Sequence, residues 1–215
     1  MVNHRAHTPL QKERNAPGDS VKHMLEIRTP LTADVCRRLR AGDLVALSGE
    51  VFTGRDVAHR RLYEAAQRGE TLPVNLDGAV MFYAAPTPTP PGRVIGSVGP
   101  TTSGRMDAYT PKLLEMGLRG MIGKGRRSPV VREAIARCGA VYFGAMGGVA
   151  AHLSQWVREA EVIAYEDLGT EAMMRIVVER FPVVVLIDAE GGDFYEEILN
   201  RRRNQKQEQK QEQKY

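Results

Sequence analysis

The sequence predicts an α/β protein with one folded domain, and three observations carry the prediction. Short apolar runs of strand type alternate with stretches of helical periodicity from residue 32 to residue 190. Several of the runs are nearly continuous in apolar residues, the pattern of strands covered on both faces. With 215 residues, 42% of them hydrophobic and 26% charged, the chain can bury one real core and does not demand a second.

Taken in order, Thr32 is placed to cap a first helix over "ADVCRRLR" (33–40). A strand follows at "DLVALSG" (43–49), and after a glycine turn "RDVAHRRLYEAAQRGE" (55–70) reads as a longer helix. Strands follow at 79–85, 93–100 and 120–125. The helix "SPVVREAIARCG" (128–139) has Ser128 as N-cap and Pro129 at its first position. Val130, Val131, Ala134, Ile135 and Cys138 lie on one side, and Gly139 stops it. Strands at 140–146 and 161–166 come next, then a helix over "GTEAMMRIVVERF" (169–181) leading into a last strand, "VVVLIDAE" (183–190). Residues 1–22 mix Pro, Gly, Asn and charges without periodicity and read as a mobile arm, so the folded domain spans 23–199. Residues 200–215 form a Gln/Lys/Glu tail of period four with no apolar face to dock.

The formal charge of +4 points away from nucleic acid once it is located. Residues 201–215 carry six basic and two acidic side chains, so residues 1–200 are balanced. Cys36 and Cys138 sit in apolar helical patterns, without a CxxC or His-spaced arrangement. Two thiols cannot fully ligate an iron-sulfur cluster or build a usual zinc site, so no metal ligand is expected in this chain. They read as reduced core thiols of a cytoplasmic protein. Residues 1–20 are polar and lack the apolar stretch of a secretory signal, and "VVVLI" (183–187) is too short to cross a bilayer.

Four strands run into glycine-rich turns: "SGEVFTGRD", "GPTTSGRMD", "GKGRRS" and "GAMGGVAAH". Ligand sites in α/β sheets gather where strands end and glycine lets backbone approach closely, so the four turns predict one composite site. It is not a nucleotide site of the P-loop type. Gly117 lies one residue too far from Gly123-Lys124, and Gly125 stands where Ser or Thr is required. Arg55, Arg105 and Lys124 are three cations at the edges of these turns, a set suited to a small dicarboxylate, because a guanidinium matches the plane of a carboxylate. Asp56 and Asp107 are candidates to orient the arginines. His59, four residues past Arg55 on a helix, is better suited to pack against that arginine than to act as an acid. Tyr142, Trp156, Met173 and Met174 read as core residues.

In order along residues 43–197, "SGEVFTGRDVAHRR", "GPTTSGRMD", "IGKG", "GGVAAH" and "EDLGTEA" closely resemble the beta subunit, or C-terminal domain, of class I iron-sulfur fumarate hydratases and the related tartrate dehydratases. The resemblance implies a swivelling β/β/α domain, with a mixed sheet or barrel-like core and flanking helices, that supplies half of a hydro-lyase active site. In that family the alpha part holds a 4Fe-4S cluster through three cysteines and leaves one iron free for substrate. This chain is therefore expected to need an alpha subunit and to assemble into a hetero-oligomer, with neither nucleic acid nor membrane as a partner. Carried over residue by residue, the resemblance implies that Thr101 is the catalytic base. It likewise implies that Arg105 and Arg55 clamp substrate carboxylates and that Lys124 is another substrate contact. Thr102 and Ser103 fit better as turn hydroxyls.

The chemistry suits these residue types. Removing water from malate requires loss of a proton beside a carboxylate, and cations that neutralise the developing aci-carboxylate supply much of the rate. Threonine is a weak base unless a neighbouring cation or hydrogen bond stabilises its alkoxide. Gly54, Gly104, Asp107, Gly147 and Gly148 look more like the fumarase branch, which implies interconversion of (S)-malate with fumarate and water. Conversion of tartrate to oxaloacetate is the alternative, because a pocket that does not hydrogen-bond the extra hydroxyl discriminates weakly. The residues also leave open a non-catalytic dicarboxylate-binding or regulatory module.

Overall fold

A computed structural model describes residues 24–145 and 150–212. The arm at 1–22 and the turn glycines Gly147 and Gly148 lie outside the described residues. Five strands run parallel side by side: β1 (Leu25–Arg28), β2 (Leu44–Thr53), β3 (Val80–Phe82), β4 (Gly120–Gly123) and β5 (Val141–Gly144). The long β7 (Met173–Ile187) pairs antiparallel with both β5 and β2, and so closes β2, β3, β4, β5 and β7 into a five-stranded barrel. Between β5 and β7 in the chain, β6 (Val157–Ala164) adds antiparallel to the outer side of β7.

Strand alternation separates two apolar clusters. Val80, Phe82, Ile122, Val141 and Phe143 join Leu47, Val51, Ile176, Phe181 and Val183 in one of them, and Phe82 meets Phe181 edge-on at 5.5 Å between ring centres. Met81, Tyr83, Met121 and Tyr142 project into the other. That second cluster is completed by the buried faces of α2 (Asp56–Gln67), α3 (Thr110–Glu115) and α4 (Pro129–Cys138). Helix α4 follows its sequence signals closely. Ser128 Oγ accepts the Val131 N–H at 3.4 Å, and Gly139 adopts φ 63° after the last turn. Val130, expected on its apolar side, is 63% exposed instead. At α1 (Ala33–Arg38), Thr32 Oγ1 accepts the Val35 N–H at 3.2 Å, as its position predicts.

Two sequence expectations fail, each for a physical reason. Residues 169–181 do not form a helix; from Met173 they enter β7. Along β7 the buried residues are Met173, Ile176, Val178 and Phe181, then Val183 and Val185, with Leu186 and Ile187 ending the strand. Arg180, at φ 53°, lies where the phase of alternation changes, so a period of two interrupted by an irregularity imitates a helical spacing. Residues 93–100 do not form a strand either. Ile95 and Val98 are buried, but the segment folds back on a proline-rich loop, where the Thr87 N–H reaches the Ser97 carbonyl at 3.0 Å. The last strand ends at Ile187, short of 190, and β1 and α3 carry no distinctive pattern.

Helix α5 (Ala150–Leu153) precedes β6, and helix α6 (Phe194–Glu212) runs through the position where the folded domain was expected to end. Among the described residues, no helix is long and apolar enough to cross a membrane.

Candidate active site

Strands β2, β3, β4 and β5 end together, and three glycine turns meet at that edge; the fourth, "GAMGGVAAH", runs through 146–149, outside the described residues. At the end of β3, the Phe82 carbonyl accepts the Gly54 N–H at 3.1 Å and the Tyr83 carbonyl accepts the Thr101 N–H at 2.7 Å. Thr101–Ser103 then lies along the end of β4. The Lys124 N–H donates to the Thr101 carbonyl at 3.3 Å, and the Ser103 N–H to the Lys124 carbonyl at 3.0 Å. "TGRD", "GPTTSGRMD" and "GKG" are thereby stitched to neighbouring strand ends, although up to 70 residues separate them in the chain. Gly123 makes the closest approach possible, because a β-carbon there would overlap Ser103 Oγ.

The Thr101–Asp107 turn rests on a buried polar layer centred on Arg127, which sequence reasoning passes over. The Arg127 side chain is fully buried. Its Nε donates to Asp107 Oδ1 at 2.7 Å and its Nη2 to Thr110 Oγ1 at 2.8 Å, while the rings of Tyr83 and Tyr142 lie 5.3 and 5.1 Å from the guanidinium. Tyr142 shares a 2.8 Å hydrogen bond with Ser103 Oγ and donates to the Gly125 carbonyl at 2.9 Å. Burial pushes the Tyr142 hydroxyl well above its ordinary range, so it stays protonated. Asp107 does not pair with Arg105, as its position in the chain suggests. Its oxygens go to Arg127 and to the Ser128 N–H (2.7 Å), joining the turn to the start of α4. No local pattern marks Arg127, since these partners come from three separate segments, at Tyr83, Asp107–Thr110 and Tyr142.

Above this layer, Thr101 is half-buried, whereas Thr102, Arg105 and Lys124 are exposed. Among the described residues, Arg105 and Lys124 have no ion pair within 4.0 Å, so their charges face solvent uncompensated. Arg55 differs. Its Nη1 lies 2.8 Å from Glu171 Oε1, while Asp56, the carboxylate expected to orient it, is 3.9 Å from Nε. The register of β2 against β7 brings Glu171 there, with Thr53 opposite Met174.

His59 is fully buried on α2, edge-on to Tyr83 at 4.9 Å. Its Nδ1 lies 2.8 Å from the Arg55 carbonyl, which can only accept, so the proton is on Nδ1. Burial holds the imidazole down at about 4, helped by the charge of Arg127, against an ordinary 6.5. A neutral, enclosed ring of this kind supports the N-terminus of α2. Between pH 6.5 and 4 the unfolded chain binds a proton that the folded chain refuses, so stability falls as pH falls through that window, by on the order of 3 kcal/mol. Urea unfolding of wild type at pH 7 and 4.5 is expected to show this loss, and His59→Gln a smaller one; equal slopes would remove His59 as the cause.

The arrangement brings the turns that carry Arg55, Arg105 and Lys124 together with Thr101 at neighbouring ends of the parallel strands, and guanidinium and ammonium groups are side chains chemically suited to carboxylates. A model of the family described as Fumarase C-terminus matches residues 2–198. The chain belongs to that family.

Among its relatives, the chain is 42% identical over 156 residues to the aerobic class I fumarate hydratase of Salmonella typhimurium, covering 72% of this chain and 27% of that one. It is 36% identical over 198 residues to the anaerobic class I fumarate hydratase of Escherichia coli, covering 90% and 36%. A protein of Methanocaldococcus jannaschii that carries the name of an L(+)-tartrate dehydratase beta subunit is 32% identical over 174 residues, covering 78% and 89%. The chain thus spans about a third of the fumarate hydratases and most of the archaeal protein. An iron-sulfur cluster does not fit the thiols of this member of the Fumarase C-terminus family. Cys36 is buried in the first apolar cluster, with burial pushing its thiol up to about 11, and Cys138 packs against the second. Among the described residues, no group of three metal-ligating side chains exists.

Proposed function

We propose that this chain is the beta half of an iron-sulfur hydro-lyase that interconverts (S)-malate with fumarate and water, active only with an alpha subunit. What carries the reading is the meeting of the turns of Thr101, Arg105, Lys124 and Arg55 at one sheet edge, with Arg105 and Lys124 free of carboxylate partners among the described residues. Arg55, Arg105 and Lys124 bind the two substrate carboxylates. The Thr101 hydroxyl, on a backbone fixed from both sides, moves the proton on the carbon beside one of them. As negative charge spreads onto that carboxylate, the cations that hold it in the bound complex stabilise it. The partner supplies the cluster and its three cysteine ligands, because Cys36 and Cys138 lie in separate clusters. Two free cysteines suit a cytoplasmic setting.

A second reading, the beta subunit of a tartrate dehydratase, draws on the archaeal relative, of which this chain covers 89%. Anaerobic co-expression with an alpha subunit, followed by assays on malate, fumarate and both tartrates, separates the readings. A brown complex that turns over malate is expected, with this chain alone colourless and inactive. Turnover of tartrate alone would favour the second reading. Binding of malate without turnover would leave a dicarboxylate-binding module, and turnover by the isolated chain would defeat the half-site model.

A further inference from the structure

The "EDLGTEA" segment has no part in the mechanism above, yet it holds one of the three cations. We propose that Glu171 is the positioning residue for Arg55, presetting that guanidinium to receive a substrate carboxylate; the proposal rests on the function assigned to Arg55 above.

Arg55 occupies the N-cap of α2, at φ −106° and ψ −166°, without a side-chain capping bond. Helix geometry therefore fixes its backbone and leaves its long side chain undirected. The nearby groups offer little else. Asp56 is 3.9 Å from Nε, and His59 spends its Nδ1 proton on the Arg55 carbonyl. Arg55 Nε is itself buried without a hydrogen-bond partner among the described residues. Glu171 is the carboxylate within hydrogen-bonding distance, at 2.8 Å from Nη1. Both side chains are under one-third exposed, so solvent screens the pair less than a surface bridge.

The tether is also delivered by rigid structure. Glu171 precedes β7 by two residues, and Arg55 follows β2 by two. The antiparallel pairing of Thr53 with Met174, reinforced by the Met174 N–H donating to Thr53 Oγ1 at 3.2 Å, brings the two ends together. A guanidinium has five N–H donors, so one contact with Glu171 leaves others for substrate. Among the described residues, Arg105 and Lys124 carry no such anchor. Of the three cations, Arg55 is thus the preorganised one, and the others close on a substrate that it has oriented.

The test is steady-state kinetics of the anaerobically assembled enzyme on malate. Glu171→Ala is expected to raise KM about tenfold or more, with a smaller change in kcat, and Glu171→Gln, which keeps an acceptor but loses the charge, to fall between. In an Arg55→Ala background, Glu171→Ala should cost nothing further, because its effect passes through the arginine. A lower KM in Glu171→Ala, or an undiminished loss in the Arg55→Ala background, would overturn the proposal. Should wild type turn over no substrate, the assigned function fails first, and the tether is read separately. In the isolated chain at low temperature, the side-chain Nη–H resonances of Arg55 should be slowed in rotation and exchange in wild type and averaged with solvent in Glu171→Ala. Unchanged resonances would refute the tether.

Discussion

Arg105→Ala is expected to lower kcat/KM of the assembled enzyme on malate by a hundredfold or more, while the thermal unfolding midpoint of the free chain stays at its wild-type value. The two halves follow from one observation. Arg105 is exposed on a short 3-10 turn, Ser103–Met106, with no ion pair among the described residues, so removing its head group leaves no buried charge unpaired. Its positive charge is available only to something that binds the rim. A donor that meets charge developing in the transition state is worth about two to three orders of magnitude in rate. Near-normal turnover would remove Arg105 from the clamp. A lower midpoint would mean that the side chain also supports the turn.

Arg127→Met is expected to have the opposite profile, destabilising the free chain by about 3–5 kcal/mol, because removing one partner of a buried ion pair strands the other. Asp107 is only 15% exposed and would keep the Ser128 N–H alone. Thr110 Oγ1 would lose its donor, and two tyrosine rings would face a void in charge. Against a total stability of about 5–15 kcal/mol, this is a large fraction. Arg127→Lys should restore only part of the loss, since an ammonium cannot serve Asp107 and Thr110 with the geometry of a planar fork. Chemical denaturation of the three chains decides the matter. A shift under about 1 kcal/mol for Arg127→Met would mean that the polar layer contributes little to holding the Thr101 turn.

Legibility from sequence varied with the range of the interactions. Helix α4 could be read to its last residue because each signal acts within one turn: a serine oxygen meets an N–H three residues on, and a glycine adopts a left-handed conformation. The glycine turns could be read because close approach demands glycine whatever approaches, as Gly123 does against Ser103. Strand β7 misled because its alternation changes phase near Arg180, and its 15 residues are held as a strand by pairing with β2, β5 and β6, none of them a neighbour within the segment itself. The orientation of the arginines misled for a related reason. Asp56 and Asp107 are neighbours in the chain, but Arg55 is met by Glu171 and Asp107 turns to Arg127.

By itself, the sequence determined the α/β class, most of the helices and strands, the glycine turns and the cations they carry, all features set by local conformation and periodicity. The tertiary structure alone decided how β2, β3, β4, β5 and β7 pair to close the barrel, which strand ends carry the turns, and which carboxylate holds which arginine. The physical reason is that ion pairs and strand pairing depend on distance in space. Segments more than a hundred residues apart, such as those of Arg55 and Glu171, leave no trace of their contact in the order of the chain.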